Sequence, residues 1–380
     1  MIMTKIKTFD VLVVYTNAIA ASASSNDNVL SPFQLSKTRT NYNESYSYFL
    51  KTCEKNNLES AFVTSKDITG SGTASCYWLY KNNKWIKVNQ PCYSRLIFEK
   101  LSPVNSIQKQ RINILFSNPK VRSFNSPAFF SLFYDKQKTY RVLQDFAIPT
   151  VAVTNKSSIG IHTALNKIRV LTAVHPHASD FSNRFVLKDR YGSGGNNVYL
   201  LDSLNPQKNI LNIIRKNKNI SFILQPFAQF NTGYTYNNSA GFIDIRLIYL
   251  GQRVVQVYIR RAKKGDFRCN EHQGGELHYI TLKEVPLKVR MFAKRIAQGL
   301  NVDRELYALD LVVSNSGNVF LMEGNIRPGI DWNLSLKKNE RMAKKLIRVI
   351  VGEIAKRAAL ATPKFISPVS DQNIYEPLTL

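Results

Sequence analysis

Short apolar runs and helical periodicities alternate along the chain, and each predicts an element. Residues 9–15 read as a buried strand, 42–57 as a helix, 76–88 as a hairpin turning at Lys81-Asn82-Asn83, and 95–99 as another strand. The Ser- and Asn-rich stretch 21–28 and the stretch 70–74 read as loops. Together these predict a first α/β unit over residues 1–124, without the spacing of a catalytic constellation. A second unit begins at Asn125. Residues 131–146 space Leu132, Tyr140, Leu143 and Phe146 as a helix, which Ile148-Pro149 ends. Residues 185–201 read as two strands around a glycine-rich loop, and 221–227 as a buried strand ending at Pro226. A polar insertion follows at 231–240, then a long hairpin at 243–261 turning at Gly251-Gln252. Residues 286–300 and 339–360 have the amphipathic period of core-packing helices, and the tail 363–380 has no period. The predicted division is 1–124, 125–225, 226–362 and the tail.

One hairpin carries oxygen donors in an otherwise apolar frame: strands at 306–313 and 318–324 flank a turn of Ser, Asn and Gly. A two-residue turn at Ser316-Gly317 places Asp310 directly opposite Glu323, and the two-residue side-chain period brings Asn325 to the same face. Three hard oxygens suit Mg²⁺, which is held by one or two carboxylates together with substrate phosphates. A three-residue turn would shift the register and separate the acids. On the hairpin alone, ordinary strand polars facing water account for the pattern equally well.

Composition narrows the class. A chain of 380 residues with 44% hydrophobic and 11% aromatic content buries substantial cores in two or three domains. No stretch reaches the ~18 uninterrupted apolar residues of a membrane span, and no signal pattern opens the chain. Cys53, Cys76, Cys92 and Cys269 lack metal spacing, which predicts free thiols and a cytoplasmic protein. Lys and Arg number 52 against 26 Asp and Glu, a formal net charge of +26. That balance favours anionic partners. The cations are spread through the chain and no zinc-finger, RRM or basic-zipper motif accompanies them, so nucleic acid is the less supported partner.

Chemistry concentrates in three further stretches. A strand ending in Lys188 runs into Tyr191-Gly192-Ser193-Gly194-Gly195, whose backbone can approach phosphate closely while the lysine supplies a point charge. The pattern is neither a P-loop nor a dinucleotide fingerprint. The strand containing Gln225, Pro226 and Phe227 can present backbone groups to an adenine ring. Residues 262–275 gather Lys263, Lys264 and Arg268, just after Arg260 and Arg261, around Gly265 and Gly274-Gly275, as a mobile cationic loop would.

The order of these pieces, over residues 125 to 332, resembles the ATP-grasp superfamily. The stretch 260–275, RRAKKGDFRCNEHQGG, resembles the large loop of RimK-type ligases. The resemblance implies an α+β ATP-grasp fold behind an N-terminal pre-grasp domain, and an ATP-dependent carboxylate–amine ligase working through an acyl phosphate on an amino acid or acidic peptide. It implies MgATP, with Mn²⁺ as a possible substitute, and a homo-oligomer as one possible assembly. By position, Lys136 and Lys188 contact the nucleotide phosphates under the loop of Gly192, Gly194 and Gly195. Gln225, Pro226 and Phe227 form the adenine hinge, and Asp244 is the aspartate of a DIR motif. Arg261, Arg268 and Asn270 act on the transferring group, and Asp310, Glu323 and Asn325 bind the metal. The chain departs from the pattern at Pro226, where many relatives have glutamate, at the 231–240 insertion, and at Arg327, which replaces a small residue and adds a carboxylate clamp. The alternatives are an ATP-grasp kinase or thiol ligase, or a basic nucleic-acid-binding protein on a nucleotide fold.

Overall fold

A computed structural model describes residues 6–33, 40–202 and 204–361, leaving the expected tail outside the described residues. The first apolar run divides at Asp10: Lys7–Phe9 and Val11–Tyr15 enter different sheets. The Asp10 carboxylate accepts the Glu59 amide at 2.7 Å, which fixes the break. Val11–Tyr15 lies between Ser60–Thr64 and Leu96–Lys100, parallel to both. Tyr77–Lys81 and Lys84–Val88 form the expected hairpin, with Asn82 and Asn83 both at positive φ as its turn. The helix Thr40–Lys55 buries Tyr46, Phe49 and Leu50 in one core with Leu346, Ile347 and Ile350 of the last helix, Lys337–Ala361. The N-terminal unit is thereby joined to the end of the chain.

The expected helix 131–146 is two helices, Pro127–Tyr134 and Lys136–Val142. Asp135 separates them: its carboxylate accepts the Gln137 amide at 3.0 Å as an N-cap and holds the Arg190 guanidinium, Nε at 2.6 Å. Lys136 is thus the first residue of a capped helix, fixed beside the glycine loop. Apolar residues Phe129, Phe133 and Leu143 pack with Leu309 and Leu321 of the C-terminal sheet, so this stretch shares that core.

Two sheets face each other beyond it. The central one is antiparallel, in the order Val151–Val153, Phe222–Ala228, Phe181–Asp189, Val198–Leu201. Phe185, Leu187 and Leu224 point to the helices Ser158–Ala173 and Pro206–Lys216. Strand alternation sends Val186, Lys188 and Gln225 to the opposite face. The second sheet runs Glu276–Tyr279, Arg253–Arg261, Ile243–Leu250, Leu306–Val313, Val319–Asn325. Its apolar face packs on the helix Leu287–Leu300 through Val289, Ala293 and Ile296.

The final hairpin reaches the expected pairing by an unexpected route. Its turn holds three residues, Asn315 to Gly317, closed by the Ser314 amide on the Asn318 carbonyl at 2.7 Å, and Leu311 faces Leu321. An irregularity between Asp310 and Leu311 then accommodates Met322 as an extra residue, so that Asp310 faces Glu323 and Ala308 faces Asn325. The bulge undoes the shift that the turn introduces. The hairpin tip meets the central subdomain: Ser316 donates to one Asp180 oxygen and Asn318 Nδ2 to the other at 2.8 Å. At Gly324 a Cβ would lie 2.0 Å from the Phe133 ring, so only glycine admits this approach.

Candidate active site

Between the two sheets lies a cleft of about 780 Å³. It brings together Lys136, Lys188, Gly192, Gly195, Gln225, Pro226, Phe227, Asp244, Arg268, Asn270, Asp310 and Glu323 from the sequence-based set. Ile148, Val186, Phe230, Phe267 and Met322 add an apolar floor that the sequence reading did not assign. Val186 was accessible from alternation, two residues before Lys188. Ile148 and Met322 had no such signal, because one follows a helix end and the other sits at the bulge.

The end of the cleft expected from sequence to take phosphates is basic. Lys136 donates from Nζ to the Gly192 carbonyl and lies 3.3 Å from Glu323 Oε1. Burial drives the Lys188 ammonium down to about 8; the charges of Glu323 and Asp310 oppose that shift, and that of Lys136 adds to it. The glycine loop is latched to the large loop. Gln273 Nε2 donates to the Gly194 carbonyl at 3.2 Å, and Gly195, at φ +75°, approaches so closely that a Cβ would sit 2.7 Å from Asn270 Oδ1. Gly194 itself does not border the cleft volume. Arg268 is held by Asp266, Nη2 to Oδ2 at 2.9 Å, with its Nη1 at 3.5 Å from the Gly195 carbonyl.

At the other end of the cleft lie Gln225, Pro226 and Phe227, expected from sequence as the adenine hinge. The strand Val151–Val153 reaches only Leu224, so beyond that position one edge of Phe222–Ala228 has no neighbouring strand, and Pro226 costs no ladder bond there. The strand continues through Pro226 to Ala228, past the expected end. Gln225 turns its amide to Thr150 Oγ1 at 2.7 Å, bracing the hinge.

A buried four-charge network forms the wall opposite. Both Asp310 oxygens accept from Arg246, and Oδ2 also accepts Arg260 Nη2 at 2.9 Å. Asp244 accepts Arg260 Nε at 2.9 Å and Nη2 at 2.7 Å. Burial alone would raise the Asp310 carboxyl, but Arg246 and then Arg260 hold it below the ordinary carboxylate value. Asp244 is pushed upward by burial, which Arg260 only partly opposes. Arg246 and Arg260 were not assigned from sequence, although Arg246 stands two residues from Asp244 on the same strand face.

Two placements differ from expectation. Arg261 alternates away from Arg260 and donates from Nη2 to the Tyr236 carbonyl at 2.8 Å, so the structure does not bring it to the cleft. Asn325 shares the hairpin face but does not border the cleft volume; its Oδ1 accepts the Arg327 amide at 2.8 Å. The donor set nevertheless fits a hard cation. An ionised carboxylate offers about four lone-pair positions; the three bonds to Asp310 leave one on Oδ1. Among the described residues Glu323 has only the Lys136 ion pair, and Asn325 Oδ1 retains one position. The described residues hold no group of three or more His, Cys, Asp or Glu that could bind a metal ion, so a cation here would have to draw on the Asn325 amide as well as the two acids. All four cysteines are free and buried, and no helix among the described residues is long and apolar enough to cross a membrane.

Residues 134–350 match the model of the RimK-like ATP-grasp domain. The chain belongs to the RimK-like ATP-grasp family. It is 30% identical over 209 residues to the "Probable alpha-L-glutamate ligase" of Mannheimia succiniciproducens, a match covering 54% of this chain and 60% of that protein. The chain thus spans about three-fifths of the length of that relative. The fold is shared with D-alanyl-alanine synthetase A from Vibrio cholerae, at TM-score 0.56 and 11% identity, covering 93% of this chain and 99% of that one. It is also shared with the ATP-grasp ligase PsnB complexed with a phosphomimetic precursor variant, Mg and ADP, at TM-score 0.51 and 11% identity, covering 92% and 100%.

Proposed function

We propose that this protein is an ATP-dependent carboxylate–amine ligase that forms an amide bond through an acyl phosphate. The observation that carries the reading is the juxtaposition, in one cleft, of Lys136, Lys188 and the glycine loop with the carboxylates of Asp310 and Glu323. Cations above and oxygen ligands below describe a site for a nucleotide polyphosphate. A substrate carboxylate oxygen attacks the γ-phosphorus as the bond to ADP breaks. The amine nitrogen then attacks the acyl carbon, phosphate leaves and the amine loses its proton. Charge builds on the transferring group, and Lys136, Lys188 and Arg268 are the residues placed to stabilise it. Asp310, Glu323 and Asn325 would hold Mg²⁺, which supplies charge neutralisation and orientation of the phosphates. A protein nucleophile is not required, and burial raises the Cys269 thiol far above its ordinary value.

The substrates' charged ends have a matching environment past Glu323. Lys100 closes Leu96–Lys100 opposite Tyr15, where the strand order reverses, the usual ligand crevice of an open α/β sheet. Its Nζ donates to the Pro328 carbonyl at 2.8 Å. Arg327 stacks on Phe130 at 4.2 Å and pairs with Glu99 at 2.8 Å, and its Nε has no partner. Asp331, touched by Asn41 Nδ2 at 3.4 Å, is an acid that burial pushes above its ordinary value. Lys100 and Arg327 thus stand with Glu99 and Asp331, two cations and two acids, a mixed-charge environment that suits an amino acid or a peptide end; the glutamate-ligase relative is named for glutamate. Incubation with MgATP and paired amino acids should release ADP and phosphate only when a carboxylate donor is present, and hydroxylamine should trap a hydroxamate. Absence of ADP with every acid and amine pair, under conditions where ATP binds, refutes the reading.

A further inference from the structure

The cleft uses few of the excess cations, and their distribution over the surface is uneven. Residues 146–179 and 203–243 contain no Asp or Glu at all. These stretches supply both helices that cover the central sheet, Ser158–Ala173 and Pro206–Lys216; the exposed Asp202 stands in the loop just before the second. On this outer layer Lys156, Lys167, Lys208, Arg215, Lys216 and Lys218 are all exposed. None of the six is in an ion pair among the described residues.

Two contacts bring this set to one place. Lys156 Nζ donates to the Lys218 carbonyl at 2.5 Å, and Gln207 Nε2 donates to Ser158 Oγ at 2.8 Å. The second helix therefore lies across the start of the first, gathering cations from both. Around them stand exposed Asn155, Asn166, Asn212 and Asn219, neutral donors of the kind that accompany Lys and Arg on phosphate oxygens. The two helices carry no Phe, Tyr or Trp, so the face offers backbone contact without base stacking. It is also the face turned away from the cleft, since Phe185, Leu187 and Leu224 point toward it while Val186, Lys188 and Gln225 face the nucleotide.

The other basic stripe is chemically different. The last helix exposes Lys337, Arg341, Lys345, Arg348 and Lys356, but it also carries Glu340 and Glu353, and the helix beside it exposes Glu44 and Glu54. The exposed Glu44 and Glu54 beside that stripe would repel a polyanion, and Glu340 and Glu353 each neutralise a cation, Lys344 and Arg357.

We propose that the cation-rich outer face of the central subdomain, built by Lys156, Lys208, Arg215, Lys216 and Lys218, docks the sugar–phosphate backbone of a nucleic-acid duplex without reading its sequence. Docking there leaves the ATP cleft open, so the enzyme can act while bound. The inference is independent of the reaction assigned to the cleft.

The test is fluorescence anisotropy of the full chain with a labelled duplex of about 20 base pairs, titrated between 50 and 200 mM salt. With about four phosphates neutralised, the logarithmic salt slope is about −3.6 and affinity falls roughly 100-fold across that range. The K156Q/K208Q/K216Q/K218Q variant should lose most of the affinity and flatten the slope, and wild type and variant should each bind unrelated sequences equally. The R215Q/K218Q variant, a smaller change if the first fails to fold, should lose about half of the slope. K337Q/K345Q/K356Q should bind as wild type. Four results overturn the proposal: no duplex binding at 50 mM salt, unchanged slope in both outer-face variants, loss of binding in the last-helix variant instead, or displacement by poly-glutamate at equal charge concentration, which would identify an acidic protein as the partner.

Discussion

Replacing Asp310 with asparagine tests the site's architecture before any catalysis is measured. In the folded protein two guanidiniums, Arg246 and Arg260, are balanced by two carboxylates, Asp310 and Asp244, with every side chain buried. Asp310→Asn keeps the shape but leaves two cations against one anion. Removing one partner of a buried pair typically costs about 3–5 kcal/mol, because the remaining charge is stranded away from water. The Coulomb energy of one contact at 4 Å and an effective dielectric of 20 is ~4 kcal/mol, which agrees. Asp310→Asn should therefore lose about 3 kcal/mol in ligand-free urea unfolding followed by circular dichroism. Adding Arg246→Met restores the one-to-one balance of Arg260 with Asp244, and the double variant should recover about 2 kcal/mol of that loss. A loss under about 1 kcal/mol in Asp310→Asn, or a double variant less stable than the single by the full Arg246→Met effect, would refute the argument that charge balance, rather than packing, governs this wall.

Two further outcomes follow from the phosphate end. The depressed Lys188 ammonium disfavours folding while it is charged. That cost is present in full below its folded value of about 8 and is relieved as pH rises toward the unfolded value of 10.5. Lys188→Met should accordingly stabilise the ligand-free protein at neutral pH, by at most about 3 kcal/mol from the size of the shift, while weakening ATP binding; in the wild type, ATP affinity should fall as pH rises through about 8. Thermal unfolding with and without nucleotide reads both, and a destabilised Lys188→Met would contradict the assignment. Gly195→Ala places a methyl 2.7 Å from Asn270 Oδ1 at a positive φ, so it should part the two loops and raise the ATP dissociation constant about tenfold with little change in overall stability, measured by calorimetry.

The elements were largely legible because strand and helix periods are local properties. The two-strand hairpins at Asn82-Asn83 and Gly251 announced themselves through turn residues, and the glycine loop and basic loop through composition. What escaped the sequence was set by contacts far along the chain. The helix break at Asp135 depends on capping and on Arg190, 55 residues away. The pairing of Asp310 with Glu323 was expected from a two-residue turn, yet it arises from a three-residue turn and a bulge. Two departures of opposite effect gave the same register. Arg261 was grouped with its basic neighbours, and only strand alternation in the folded sheet separates it from Arg260. Arg246 was not assigned because its partner, Asp310, stands 64 residues away and meets it only when the two strands pair.

The hairpin tip has a mechanical meaning. Ser316 and Asn318 grip Asp180 at one end of the central sheet, while Gln273, Asn270 and Arg268 touch the glycine loop at the other. The two subdomains are thereby tied at both ends of the cleft, so loosening either tie alone leaves the other to keep Lys188 and Glu323 in one cleft.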